Sequence, residues 1–250
     1  MEEQLNRNIC LALDIGMRML VCGAQISRVE DSIERMCKAW GAKDTHVFSV
    51  TSGIIVTAVD AEGNSTTQMR RIYSEQFDLI RLERLNQLSR DICAGKLDGT
   101  DVPARLVKID ATRKYPLWLL ILAYAGISAS LSVFFGAGWQ DAIASAFTGI
   151  ILCLLERLLL KLCLNRMFTI FWLALLAGLC NVALVKLGLG INYDAISIGN
   201  IMLLIPGIAM TNSIHDMFVG DIISGISRFA QSLIVAFIVT FGFTVAGMLL

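Results

Sequence analysis

Charge nearly disappears from the second half of this chain. Only five of the 21 Lys/Arg and five of the 21 Asp/Glu in its 250 residues fall after position 116. A water-facing domain carries about 25% charged residues, so the two halves face different solvents. A basic run is also missing and the formal net charge is zero, which argues against nucleic acid as a partner. The seven Cys, at 10, 22, 37, 93, 153, 163 and 180, form no C-x-x-C and are odd in number. Several lie in apolar helical stretches, which predicts reduced, buried thiols. The only two His, His46 and His215, stand far apart, and no zinc-ligand spacing appears, so neither metal nor cofactor is expected.

Catalytic and nucleotide motifs are scarce too. No phosphate loop and no G-x-G-x-x-G is present, which argues against ATP-driven transport by this chain alone. Thr51-Ser52-Gly53 lies in a strand connection without a G-x-S-x-G elbow, and His46, two residues after Asp44, reads as an ordinary part-exposed side chain. The apolar stretch at 9–22 is interrupted by Asp14 and Arg18 and has no basic region before it. No cleavable signal peptide is therefore expected, and the N-terminus should stay on the side of synthesis.

What the second half does contain is long apolar runs near the roughly 20 residues that cross a bilayer. They predict about five spans: 117–135, 139–160, 167–187, 195–211 broken at Pro206-Gly207, and 229–250. Lys108, Arg113 and Lys114 precede the first, Arg157, Lys161 and Arg166 follow the second, and Arg228 precedes the fifth. By the positive-inside rule this places the N-terminal domain in the cytoplasm and the C-terminus outside, with Lys186 the discordant cation. Tyr115, Trp118, Trp139 and Tyr193 stand near span ends, as interfacial aromatics do.

Residues 1–114 predict a small cytoplasmic α+β domain. A helix over 3–22 has Leu5, Ile9, Ala12, Leu13, Gly16 and Leu20 on one face. Ser27-Arg28-Val29-Glu30 has the form of a capping box, which starts a second helix running to Trp40, with Gly41 at its C′ position. Val47–Val50 and Ile54–Val59 predict strands, 60–64 a turn, and Thr66–Tyr73 a hairpin partner. Helical periodicity returns over Phe77–Ala94, and Val102–Lys114 predicts a short helix. The fold class expected is therefore an α-helical integral membrane protein preceded by a small α+β domain.

The polar, glycine-rich stretch 204–228 lies between two apolar spans. Pro206 removes a backbone donor, and a helix broken in the membrane needs protein or a water-filled cavity to satisfy its backbone. Asn212 and Asp216 share a helical face, and Asp221, Ser224, Gly225 and Arg228 form a second stripe. Ionisable groups in the membrane point to a pathway; the alternative is a solvated loop that ends two spans. Asn181 and Asn200, in apolar spans, read as interhelical hydrogen bonders or as pathway lining, and Glu156 and Arg157 as interfacial.

Here the sequence resembles the threonine/serine exporter family. The residues that carry the resemblance are Pro206, Gly207, Asn212, Asp216, Gly220, Asp221, Ser224, Gly225 and Arg228, together with Gly23-Ala24 and Arg28-Val29-Glu30. The resemblance implies efflux of small polar metabolites across the inner membrane, driven by an ion gradient. Single-chain members join this module to further spans, so the chain looks like the larger subunit of a split exporter with a smaller membrane partner, within an oligomer. Split members imply dicarboxylates such as succinate as well as amino acids. The expected substrate and ion pathway comprises Pro206, Gly207, Asn212, Asp216, Asp221, Ser224 and Arg228, with no catalytic residue. The competing expectations are a membrane scaffold or sensor and a membrane-anchored hydrolase.

Overall fold

The computed structural model describes residues 2–73, 76–112, 115–161 and 165–249. Arg113, Lys114 and Cys163, invoked above, lie outside them. The chain divides into two compact units: Met1–Arg113 with Ile208–Phe229, and Lys114–Gly207 with Ala230–Leu250. Residues 208–229, which the sequence reading places in the membrane half, thus group with the N-terminal residues.

The first unit begins with α1 (Glu2–Val21) and α2 (Ile26–Ala39). Ile9, Ala12, Leu13 and Leu20 of α1 are buried, and α2 buries Ile26, Val29, Ile33 and Met36 at three- and four-residue spacing. The helices approach closely at Gly16, where a Cβ would stand 2.4 Å from Ile33 Cδ1. Strands β1 (Asp44–Val50), β2 (Gly53–Val59) and β3 (Ser65–Arg71) form an antiparallel sheet in the order β1-β2-β3. Its register pairs Ser49 with Ile54, Val47 with Val56 and Thr45 with Ala58, so alternation puts all six on one face. Of these, Ile54, Val56 and Ala58 are fully buried. The Asp60 carboxylate accepts from the Asn64 backbone N–H at 2.7 Å and closes the predicted turn.

Helix α3 (Leu79–Cys93) starts later than its periodicity predicts, because the Asp78 side chain caps it through the Arg81 N–H. Helix α4 (Val102–Asp110) ends short of the expected Lys114; Thr112 Oγ1 bonds the Ile109 carbonyl in its place. The capping-box expectation at Ser27 fails. Helix α2 starts at Ile26, its N-cap Gln25 makes no side-chain cap bond, and Glu30 instead accepts from the Ser49 N–H of β1 at 2.6 Å. The side chain satisfies a strand-end donor brought near by tertiary packing, not its own helix start. Cys93 is exposed, against the expectation of buried thiols. Cys22 and Cys37 are buried, and burial pushes their thiols up to about 11 and about 12.

The second unit holds α5 (Leu117–Phe134), α6 (Trp139–Lys161), α7 (Arg166–Lys186), α8 (Tyr193–Leu204) and most of α10 (Ile222–Gly247). Among the described residues, four helices are long and apolar enough to cross a membrane, or five if α8 and α9 (Gly207–Val219) make one bent span. The protein is therefore mostly helical, as a membrane protein is, with one small sheet. Helix α10 begins seven residues before the predicted 229, so Arg228 lies inside it and does not precede it. Asn181 and Asn200 are buried within a polar seam of α5–α8. Ser128 Oγ donates to Asn200 Oδ1 at 2.6 Å, Thr148 Oγ1 to Asn181 Oδ1 at 2.8 Å, and Asn181 Nδ2 to Ser197 Oγ at 3.1 Å. These are the interhelical hydrogen bonds expected of polar residues in apolar helices. Small residues let the backbones close around the seam: a Cβ on Gly199 would stand 2.5 Å from the Ser128 carbonyl. Glu156 accepts from the Tyr124 hydroxyl at 2.6 Å.

Candidate functional site

The polar stretch separates at its proline. Pro206 and Gly207 mark the break after α8, whose C-cap is Ile205, and α9 starts at Gly207. Without an N–H, Pro206 cannot continue the α8 ladder. Asn212, Asp216, Asp221, Ser224 and Arg228 belong to the first unit.

Within that unit, α9 ends at a tight turn. Gly220 has φ +106, and the Asp221 N–H reaches the Asp216 carbonyl at 2.9 Å. A left-handed glycine is the common end of a helix because it has no Cβ to clash. The chain reverses into α10, and Gly225 lets the two helices touch: a Cβ there would lie 2.8 Å from the Ser213 carbonyl and 3.0 Å from the Met217 nitrogen. This contact brings Arg228 to Asp216. Arg228 Nη1 donates to Asp216 Oδ2 at 2.8 Å, and the two side chains are 2% and 0% exposed. Ser213 on α9 and Ser224 on α10 are also buried, whereas Asp221 is only half-buried.

The other wall of the site comes from the connection between α1 and α2. Helix α1 ends in paired bonds, Gly23 N–H to Leu20 O and Ala24 N–H to Met19 O, with Gly23 at φ +94. This is the Schellman pattern. A Cβ at Gly23 would also stand 2.3 Å from the Phe77 ring, so the position takes only glycine. Asn212 Nδ2 donates to the Gly23 carbonyl at 3.1 Å. Helix α2, which follows, has no side-chain cap and no acidic residue in its first turn. The Ile26 backbone N–H at its start acts on the Asp216 carboxylate. A carboxylate is the group that a helix N-terminus favours, through its unpaired N–H groups and its dipole. Asp216 Oδ1 is buried and takes no hydrogen bond from the described residues.

One turn further along α2, Glu30 faces Asp221. Burial, with this second carboxylate, raises its pKa above the usual 4.5, while the Ser49 N–H opposes the rise. Among the described residues, no three His, Cys, Asp or Glu gather as a metal site. His46 is 75% exposed beside Asp44.

Of the residues in the sequence pattern, Asp216 and Arg228 meet in a buried pair, Ser224 is buried one turn before Arg228 on α10, and half-buried Asn212, one turn before Asp216 on α9, bonds the Gly23 carbonyl. The pattern missed the Gly23 carbonyl and the Ile26 N–H. The available signal was a glycine at a helix end followed by a helix start with no capping residue.

The threonine/serine exporter model (ThrE) matches residues 10–250. The chain belongs to this family. Over 229 residues it is 25% identical to the "Probable succinate transporter subunit YjjP" of Escherichia coli, covering 91% of this chain and 89% of that one. It is 24% identical to the "Probable threonine/serine exporter" of Mycobacterium tuberculosis, over 88% of this chain but 43% of that protein. Against the "Threonine/serine exporter" of Corynebacterium glutamicum the figures are 22%, 90% and 47%. No solved structure matches. The family is one of transporters, not of enzymes, and membership with several long apolar helices makes the chain part of a membrane exporter.

Proposed function

We propose that this chain is one subunit of a secondary exporter in the inner membrane that moves small carboxylate-bearing metabolites, threonine and serine or dicarboxylates such as succinate, driven by the proton-motive force. The observation that carries the reading is the buried Asp216–Arg228 pair inside the family's motif. A guanidinium and a carboxylate withdrawn from water are costly unless paired, and are retained where they serve binding or switching. Arg228 offers a planar fork matched to a carboxylate. Asn212 and Ser224 supply hydrogen bonds, Asp216 or Asp221 carries the coupling proton, and Pro206 and Gly207 interrupt the helix along the pathway.

The near-complete overlap with a protein named as a transporter subunit supports a second membrane subunit as partner. The distribution of basic residues supports a cytoplasmic N-terminal unit and an external C-terminus.

The test is efflux from cells preloaded with labelled succinate, threonine or serine. The chain alone, the chain with its candidate partner, and the pair carrying Asp216→Asn would be compared. Efflux that needs both chains and falls at least tenfold in the variant is the expected result. Unchanged efflux in the variant removes Asp216 from the mechanism, and no efflux of any of the three overturns the substrate class.

A further inference from the structure

Helix α2 presents an N-terminus with no side-chain cap of its own, and its first residue, Ile26, is buried. The Ile26 N–H there acts on a carboxylate 190 positions later, that of Asp216. The same carboxylate is gripped from the other side by a guanidinium that is 2% exposed. A buried arginine and a helix N-terminus facing one point make an anion site. Asp216 occupies that point with one oxygen bonded to Arg228 and the other without a hydrogen bond from the described residues. The fit is incomplete for an internal residue, and a free carboxylate with its own freedom of approach could satisfy both donors.

We infer that Asp216 is an internal stand-in for the substrate: its carboxylate holds the site formed by Arg228 and the start of α2, and a substrate carboxylate enters by displacing it while Asp216 takes up a proton. This rests on the exporter reading and adds the way the site is emptied. In the resting state the locus holds Asp216 as carboxylate and Arg228 as guanidinium. In the loaded state the substrate carboxylate pairs with Arg228. The O–H bond formed on Asp216 uses a proton from solvent, and no other bond is made or broken. Loading by one carboxylate is therefore accompanied by one proton. The groups facing Asp216 favour this direction only in part. Burial disfavours its charged form, Arg228 on α10, the Ile26 N–H on α2 and His215 on α9 stabilise that form, and Asp221 after α9 opposes it. On α2, Glu30 faces Asp221 and adds negative charge to the same cluster.

Calorimetric titration of succinate into the full chain in lipid nanodiscs tests this, with the uncharged diamide succinamide as control. Measurement near pH 7.5 in buffers of different ionisation enthalpy reads the protons taken up. The wild-type protein should bind succinate with uptake of roughly one proton, and succinamide not at all. In Asp216→Asn the competitor is gone, so affinity should rise about tenfold or more and proton uptake should vanish. The double variant Asp216→Asn/Arg228→Gln, which removes both charges of the pair, should lose succinate binding. Equal binding of succinamide, no proton uptake by the wild type, or an affinity for succinate unchanged in Asp216→Asn would each overturn the inference. If Asp216→Asn fails to fold, proton uptake by the wild type still decides. Proton-linked binding without succinate efflux from preloaded cells would sink the exporter reading and leave the site standing. Efflux with no proton uptake on binding would do the reverse.

Discussion

Replacing Asp216 by Asn keeps the side chain's shape and removes its charge. Arg228 is then left 2% exposed with a neutral neighbour in place of a carboxylate at 2.8 Å. Breaking a buried pair by removing one partner costs about 3–5 kcal/mol, because the remaining charge is held away from water. Native stabilities are only about 5–15 kcal/mol, so the loss is large. For a chain of this size each kcal/mol moves the midpoint by about 2–4 °C, which gives a fall of about 6–20 °C. Thermal unfolding of the full chain in nanodiscs, without added carboxylates, reads this directly. Hydrogen exchange adds location: the first turn of α2 should lose protection, since its capping carboxylate is now neutral. The apolar double variant Asp216→Leu/Arg228→Met should recover most of the stability, as packed apolar pairs commonly match buried ion pairs. A single variant within about 0.5 kcal/mol of wild type, or a double variant as unstable as the single, would refute the reasoning.

Other consequences can be checked with the same preparation. Gly23→Ala forces a Cβ onto the Phe77 ring at a left-handed position and should destabilise the first unit by about 1–3 kcal/mol, read as faster limited proteolysis. Asn181→Ala strips partners from Thr148, Asn200 and Ser197 together and should cost about 1–3 kcal/mol in thermal unfolding. Glu30 has a folded-state pKa raised by burial, so its ionisation opposes folding; the native state gains stability as pH falls from above that raised value towards 4.5. Glu30→Gln keeps an acceptor for Ser49, should be the more stable protein at pH 7, and should flatten that pH dependence. A membrane-impermeant maleimide should modify exposed Cys93 before buried Cys22 and Cys37, with the label located by mass spectrometry. In right-side-out vesicles Cys93 should stay unlabelled if the first unit is cytoplasmic.

Much of the architecture was legible because it rests on composition and short-range pattern. The charge-poor runs mark the apolar helices, alternation with a polar turn marks β1 to β3, and Gly41, at φ +93, ends α2 where the sequence places it. The face shared by Asn212 and Asp216 was legible from helical spacing, and Asn181 and Asn200 read as interhelical hydrogen bonders or as pathway lining, of which the structure shows the bonds. What escaped was decided by distant partners. The Ser27–Glu30 pattern has the form of a capping box, but Glu30 is drawn to the Ser49 N–H, 19 residues away. The break at Pro206 was visible, but not that 208–229 joins the N-terminal unit, since nothing local distinguishes a polar loop between spans from a helical hairpin with its own docking site. Cys93 sits in a helix that is apolar on one side only, and falls on the other.

The bond from Asn212 to the Gly23 carbonyl joins residues 189 positions apart. A ribosome releases α1 to α4 early, then α5, α6, α7 and α8, and only afterwards the segment that covers the start of α2. The N-terminal unit is therefore the first to begin folding and among the last to finish. Insertion of the apolar helices then becomes a step on the folding route of a unit that itself contains few of them.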